Sequence, residues 1–147
     1  MPHIEQIPLE LAWQIRHKAM YPDESPEAVK LPDDEDGIHF GLFDHNKLIS
    51  VGSWFRRSET EAQFRKLATL EEFRNLGYGS FLMRYIIDFS ESEKIKFLWC
   101  NARVKALNFY KKLGFTETAS PFSKNDIDYA IMRLELNQTY VQELLKE

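Results

Sequence analysis

The feature that most constrains this chain is a change of period at a single turn. From Ile38 to Leu70 the apolar residues come in runs of strand length. Beyond Gly77, residues Tyr78, Phe81, Leu82, Tyr85, Ile86 and Phe89 fall at i, i+3, i+4, i+7, i+8 and i+11, which lines one face of an α-helix. Between the two stands Arg74-Asn75-Leu76-Gly77-Tyr78-Gly79-Ser80. A strand, then Arg-x-x-Gly-x-Gly, then an amphipathic helix gathers unpaired backbone N–H groups and the positive end of a helix dipole at one spot. Such a spot binds anions. Glycine at 77 and 79 suits a phosphate that approaches the backbone more closely than a Cβ permits, and a turn that requires positive φ. The same residues also suit a tight strand-to-helix turn that holds no ligand.

Other phosphate loops fit less well. A dinucleotide fingerprint needs a third glycine at position 82, which is Leu82, and an acid closing the next strand, where Cys100 and Asn101 stand. A P-loop needs Gly-Lys-Ser/Thr, which the sequence lacks.

The rest of the chain reads as strands and helices in alternation. Ile4 to Ile7 suits a short first strand, and Leu11, Ala12, Ile15 and Ala19 keep helical spacing up to the breaker Tyr21-Pro22. Pro26, Pro32 and the acids around them suit an irregular connection. Ile38–Phe43 and Leu48–Phe55, separated by the polar Asp44 to Lys47, read as a hairpin, and Ala62–Leu70 as a third strand. Lys96–Cys100 reads as a strand, Val104–Leu113 as a helix closed by Gly114, Phe115 onward as a strand and Asp128–Leu136 as the last one. Asn137 then suits the N-cap of a final helix with Tyr140, Val141, Leu144 and Leu145 on one stripe. That stripe can dock on the chain's own core or on a partner, so a homodimer stays open. No repeat or linker divides the 147 residues, and 1–147 is read as one domain of mixed α/β class.

Charge narrows the partners. The net charge is −4, against a nucleic-acid binder's need for a basic face. Between Tyr21 and Asp36 there are seven acids and one base, Lys30. Arg65, Lys66, Arg74, Arg84, Lys94, Lys96, Arg103, Lys105, Lys111 and Lys112 make the second half locally basic. The acidic stretch is either a solvated loop or a face for a cationic acceptor, and the basic half suits an anionic cofactor. Cys100 is the only cysteine, which excludes an intramolecular disulfide and suits a reducing compartment. The start of the chain lacks the pattern of a signal peptide and no stretch approaches the roughly 20 apolar residues of a membrane span, so a cytoplasmic setting and no membrane partner are expected.

Two blocks together resemble a known family. Leu67-Ala68-Thr69-Leu70-Glu71-Glu72-Phe73 leading into Arg74–Ser80 is similar to the acyl-CoA pyrophosphate loop of the GNAT superfamily of N-acetyltransferases. Asn101-Ala102-Arg103, Ala106 and Phe109-Tyr110-Lys111-Lys112-Leu113-Gly114-Phe115 resemble that family's later helix and its ending, in the family's order and spacing. The resemblance implies a central, mostly antiparallel sheet splayed at the CoA site and flanked by helices. It implies acetyl-CoA as co-substrate, with no metal, and transfer to the amine of a small molecule or peptide. It implies that the backbone of Leu67, Ala68 and Thr69 pairs with the pantetheine arm, and that Arg74, Asn75, Leu76, Gly77, Tyr78, Gly79 and Ser80 wrap the pyrophosphate. Many members carry an asparagine seven residues before the tyrosine matching Tyr110. Here Arg103 stands there, with Asn101 two residues earlier, so these two become the candidate contacts from that segment.

The implied reaction is direct attack of a neutral amine on the thioester, so the chain must align two substrates and manage protons. Tyr110 matches the tyrosine that donates a proton to the departing thiolate, and it equally suits a core aromatic. Asp128, His39 and Glu61 are the candidate general bases; His39 also reads as a packed histidine in an apolar strand. A base acting through water fits as well. Cys100 is not needed as a nucleophile and reads as a small core residue. A non-catalytic acyl-CoA-binding module of the same fold is the alternative from a different functional class.

Overall fold

The computed structural model describes residues 1–118 and 121–136. They form two compact units, Met1–Phe55 with Phe64–Ile86, and Arg56–Gln63 with the described part of Ile87–Glu147. The expected final helix, with Tyr140, Val141, Leu144 and Leu145, lies outside the described residues.

In the first unit, β1 (His3–Gln6) pairs antiparallel with β2 (Ile38–Asp44), and β2 with β3 (Lys47–Arg56). The β2–β3 turn is only His45 and Asn46, with φ of 52° and 61°. Two left-handed residues give the mirror-image turn whose twist matches that of the strands, which is why a polar pair with Asn serves here. Next to β3 comes β4 (Glu61–Thr69), which contributes Phe64–Thr69 to this unit. Within β4, Lys66 has φ of 57° and stands in the middle of three half-buried residues, Arg65, Lys66 and Leu67. Helix α1 (Leu9–Met20) buries Ala12, Ile15 and Arg16, one stripe at i, i+3 and i+4. Ala12 and Ile15 join Ile7, Val51, Ala68 and Leu70 in an apolar cluster, each large member adding about 1.5–3 kcal/mol of burial. Helix α2 (Tyr78–Ser92) starts in this unit and buries Leu82, Met83 and Ile86.

Arg16 is the unexpected member of the α1 stripe. It is fully buried and forms a fork with Asp34, Nη1 to Oδ2 at 2.8 Å and Nη2 to Oδ1 at 2.9 Å. Its other Nη protons go to the Val29 carbonyl at 3.0 Å and Ser53 Oγ at 2.8 Å, while Nε has no partner among the described residues. Asp34 also accepts from Trp13 Nε1 and the Leu31 N–H. The acidic stretch is therefore not uniformly solvated, because Asp34 is 2% exposed and its charge is spent on α1. Burial alone raises the Asp34 pKa, but the bonds from Arg16, Leu31 and Trp13 outweigh it and hold the carboxyl below its usual range.

In the second unit, Glu61–Gln63 of β4 pair in parallel with β5 (Phe97–Arg103) over three rungs, from Glu61–Phe97 to Gln63–Trp99. The parallel register, expected to open at the cofactor site, extends no further. β5 pairs antiparallel with β8 (Ile127–Glu135), which also carries β6 (Thr116–Glu117) and β7 (Phe122–Lys124). Three expectations change here. β5 runs through Arg103, three residues past Cys100, and β7 turns into β8 through Asn125 and Asp126, with φ of 53° and 64°. The segment before β8 had no apolar alternation to announce a strand. Helix α3 (Leu107–Lys112) follows a separate 3-10 turn at Val104–Ala106 instead of running from Val104. No helix among the described residues is long and apolar enough to cross a membrane.

Replacing Asp34 with Ala strands the Arg16 guanidinium in the core and is expected to lower stability by about 3–5 kcal/mol in denaturant unfolding. The double variant Arg16→Met/Asp34→Leu should recover most of that loss. A second prediction concerns pH. Burial pushes the His39 pKa below its ordinary value, outweighing the raising effect of its bond to the Asp34 carbonyl. The unfolded chain therefore binds this proton first, and stability declines as pH falls from about 6.5 through the folded value. His39→Gln should flatten that limb while leaving the loss below about pH 4, where Asp34 takes up its proton.

Candidate functional site

Of the two glycines at the start of α2, Gly77 has the positive φ expected and Gly79 is helical. Glu71–Phe73 form a 3-10 turn, Arg74 is extended, and Asn75 and Gly77 are left-handed, with φ of 63° and 89°. The first bond inside α2 runs from the Phe81 N–H to the Gly77 carbonyl at 3.0 Å. The N–H groups of Tyr78, Gly79 and Ser80 thus precede the helix's own ladder, at the positive end of its dipole. A Cβ on Gly77 would meet nothing within 4 Å, so glycine is required there by φ, and the space beside the turn is clear. Gly79 lies in the first turn of α2. Asn75, Leu76 and Gly77 are all exposed. Open N–H groups, a left-handed turn and an unobstructed face are what an oxyanion such as a pyrophosphate needs.

Side chains brace this turn. Arg74 sends Nη2 to the Ala19 carbonyl at 2.6 Å and Nε to the Thr69 carbonyl at 3.2 Å. A cation at the C-terminal turn of α1 is favourable for the helix dipole, so the signature arginine fastens the turn to α1 and β4. Tyr78 donates its O–H to Asp44 Oδ2 at 2.6 Å. From β3, Ser50 Oγ donates to the Ala68 carbonyl of β4 at 3.0 Å and lies 2.8 Å from Thr69 Oγ1. The backbone of Leu67, Ala68 and Thr69 is thereby fixed one residue beyond the left-handed Lys66. The Lys66 ammonium reaches the Tyr21 hydroxyl at 3.2 Å and lies over its ring. Sequence reasoning missed both Lys66 and Asp44, since neither a lysine inside a strand nor an acid before a turn signals such a role.

The remaining candidates lie in the second unit, except His39. On β5, Leu98, Cys100 and Ala102 are buried while Asn101 is exposed and Arg103 half-buried, so the two polar residues share the opposite face. Tyr110 is 9% exposed, with its ring edge-on to Phe109 and Phe115. The block around it forms a Schellman cap. The Phe115 N–H bonds the Tyr110 carbonyl at 3.1 Å, the Gly114 N–H bonds the Lys111 carbonyl at 3.0 Å, and Gly114 has φ of 99°. Burial pushes the Tyr110 phenol above its ordinary range, and the neighbouring Cys100 adds to this, so the hydroxyl keeps its proton at neutral pH. It is a weaker acid than an unperturbed phenol. Cys100 is buried and its thiol is pushed up as well, as a core residue's would be.

Asp128 is exposed on β8, with Oδ1 accepting from Ser123 Oγ across the β7–β8 pair. His39 has both ring nitrogens occupied. Nε2 must donate to the Asp34 carbonyl at 2.8 Å, which leaves Nδ1 to accept from Ser53 Oγ–H at 2.7 Å. The histidine is packed at 6% exposure, part of the Arg16–Asp34 network.

Comparison with known proteins identifies the family. Residues 10–136 match the family described as Acetyltransferase (GNAT) domain. An uncharacterized N-acetyltransferase, YitI of Bacillus subtilis, is 34% identical over 130 residues, covering 83% of this chain and 87% of its own. The crystal structure of the ribosomal-protein-S18-alanine N-acetyltransferase from Escherichia coli superposes with a TM-score of 0.77 at 23% identity, covering 93% of this chain and 95% of the other. A GNAT family acetyltransferase from Elizabethkingia anophelis with acetyl-CoA bound gives 0.73 at 19% identity, covering 92% and 98%. The chain belongs to the GNAT family, with that family's mixed α/β fold, and is an acyl-CoA-dependent N-acyltransferase that moves an acetyl group to an amine.

Proposed function

We propose that the turn Arg74–Ser80 is the seat of the acetyl-CoA pyrophosphate, on the strength of one observation. The left-handed Asn75 and Gly77 turn an unobstructed backbone toward solvent immediately ahead of the first α2 bond. The N–H groups of Tyr78, Gly79 and Ser80 hold the anion, and Arg74 acts through backbone carbonyls to keep the turn in shape. The backbone of Leu67, Ala68 and Thr69 receives the pantetheine arm, and Asn101 and Arg103 are polar contacts on the exposed face of β5. Acetyl-CoA supplies an activated thioester, so the chain needs no nucleophile of its own.

In this reading Tyr110 holds a proton for the departing thiolate. Asp128 takes one from the incoming amine, because its carboxylate is exposed while His39 has no unoccupied nitrogen. The acceptor is the amine of a small molecule or peptide. The exposed acids Asp23, Glu24, Glu35 and Asp36 favour a cationic one. The lone buried Cys100 favours a reducing, cytoplasmic setting.

Calorimetry should show saturable uptake of acetyl-CoA, weakened tenfold or more in Gly77→Val. A β-branched residue at φ of 89° distorts the turn, at a cost of about 1–2 kcal/mol. Uptake by the variant equal to that of the parent would remove the turn from the site. With CoA release followed over a panel of small amines and peptides, Tyr110→Phe and Asp128→Asn should each lower turnover by about 10- to 1,000-fold without loss of acetyl-CoA affinity. Unchanged turnover in either variant returns that residue to a structural role.

A further inference from the structure

The tip of the β2–β3 hairpin touches the turn before α2 on both sides. Asp44 and Lys47 are the cross-strand pair that closes the hairpin, with only His45 and Asn46 between them. From this pair, Asp44 Oδ2 accepts the O–H of Tyr78, the residue between the two glycines, at 2.6 Å. Lys47 reaches the other side, with Nζ 3.5 Å from Glu72 Oε1 and 5.3 Å from the centre of the Phe73 ring. Phe73 and Tyr78 meet edge-on, with centroids 6.1 Å apart. The four residues Arg74–Gly77 are therefore spanned by a ring pair whose two members are each held by the same hairpin.

The Asp44 end of this brace is the stronger. Asp44 is 8% exposed, and its Oδ1 accepts the His45 N–H at 3.1 Å, so the carboxylate cannot swing away without breaking the turn. Its charge is faced by the Met1 amine at 3.9 Å and the His45 ring at 3.7 Å. The Tyr78 bond holds the Asp44 carboxyl below its usual range and the Tyr78 phenol above its own, so a charge-assisted bond persists at neutral pH. Lys47 and Glu72 are both more than half exposed, which makes that pair the weaker tie.

We infer that Asp44 is a positioning residue for the CoA-binding turn, acting through the Tyr78 hydroxyl to set the direction of the N–H groups at positions 78–80. The inference rests on the pyrophosphate reading of that turn. A preformed cradle binds without the cost of ordering itself, so releasing the brace weakens the ligand more than it weakens the fold. The bond is a side-chain tie on one residue of a turn otherwise fixed by Arg74 and Gly77, so the turn survives its removal.

The test is CoA affinity by calorimetry, with thermal unfolding run in parallel, on Tyr78→Phe, Asp44→Ala, Asp44→Asn and the double variant Tyr78→Phe/Asp44→Ala. Tyr78→Phe keeps the ring against Phe73 and removes only the hydroxyl. Asp44→Asn keeps a partner for it, because the amide oxygen can still accept the His45 N–H while the amide N–H donates to the Tyr78 hydroxyl oxygen. The expected result is about tenfold weaker CoA binding in Tyr78→Phe and Asp44→Ala, with unfolding midpoints near that of the parent. The double variant should be no weaker than the worse single, and Asp44→Asn should recover most of the affinity. If Gly77→Val loses CoA while Tyr78→Phe and Asp44→Ala bind it as the parent does, the brace is overturned and the cofactor site stands. If Asp44→Asn is as weak as Asp44→Ala, or affinity falls only in step with the midpoint, positioning is likewise overturned. Failure of the parent protein to take up CoA overturns the cofactor reading and the brace with it.

Discussion

Everything proposed for this protein depends on a few backbone N–H groups that α2 does not use itself. Every helix begins with such groups, and in most they are satisfied by a side-chain cap or by water. Asn75 and Gly77 take left-handed conformations, Leu76 stands exposed, and the first helical bond waits until Phe81. A helix start can serve as an anion site only if the chain leading into it is shaped and then held. The glycine provides the shape. Arg74, on the carbonyls of Ala19 and Thr69, and Tyr78, on Asp44, do the holding. In that proposal Arg74 would serve the anion only indirectly, because its guanidinium is engaged by the carbonyls of Thr69 and Ala19.

What could be read from the sequence was local. The helical period from Tyr78 to Phe89, the strands to either side, the hairpin at residues 45 and 46 and the glycine cap at Gly114 each announce themselves within a few positions, because propensity and periodicity act over that range. The turn proposed to hold the pyrophosphate belongs to the same category, since a turn and a helix start are contiguous in sequence. Of the candidate catalytic residues, His39 was the most open to reinterpretation. Its pKa made it a plausible base, whereas its register in an apolar strand made it a packed residue, and the Ser53 and Asp34 bonds decide for packing.

What could not be read was pairing at a distance. Arg16 and Asp34 are 18 residues apart, Tyr78 and Asp44 are 34, and Lys66 and Tyr21 are 45. The Asp34 carboxylate sits among six other acids of its stretch, and nothing local distinguishes it from those that face water. The stronger clue was on the partner. Arg16 lies one turn from Ala12 and beside Ile15 on the apolar stripe of α1, and a cation in that position implies a buried anion to meet it. Lys66 illustrates a second kind of blindness. A left-handed residue inside a strand costs a β-carbon roughly 1–2 kcal/mol, and a lysine gives no hint that it will adopt one.

The block around Tyr110 shows why a motif match is a poor guide to a residue's role. Tyr110, Lys111, Gly114 and Phe115 occupy the four positions that a Schellman cap uses, with the Tyr110 and Phe115 rings supplying its apolar contact. The motif would persist for that reason alone, with the hydroxyl as an accident of the aromatic chosen. The hydroxyl, however, is what capping does not explain, since phenylalanine would fill the same contact. Its burial keeps it protonated, as a donor must be, and also makes it a poorer acid toward water than an exposed phenol. A proton held this firmly passes only to a base brought into the same dry surroundings. A thiolate leaving a thioester would be such a base, and it would be more basic there than in water for the reason that raises the phenol.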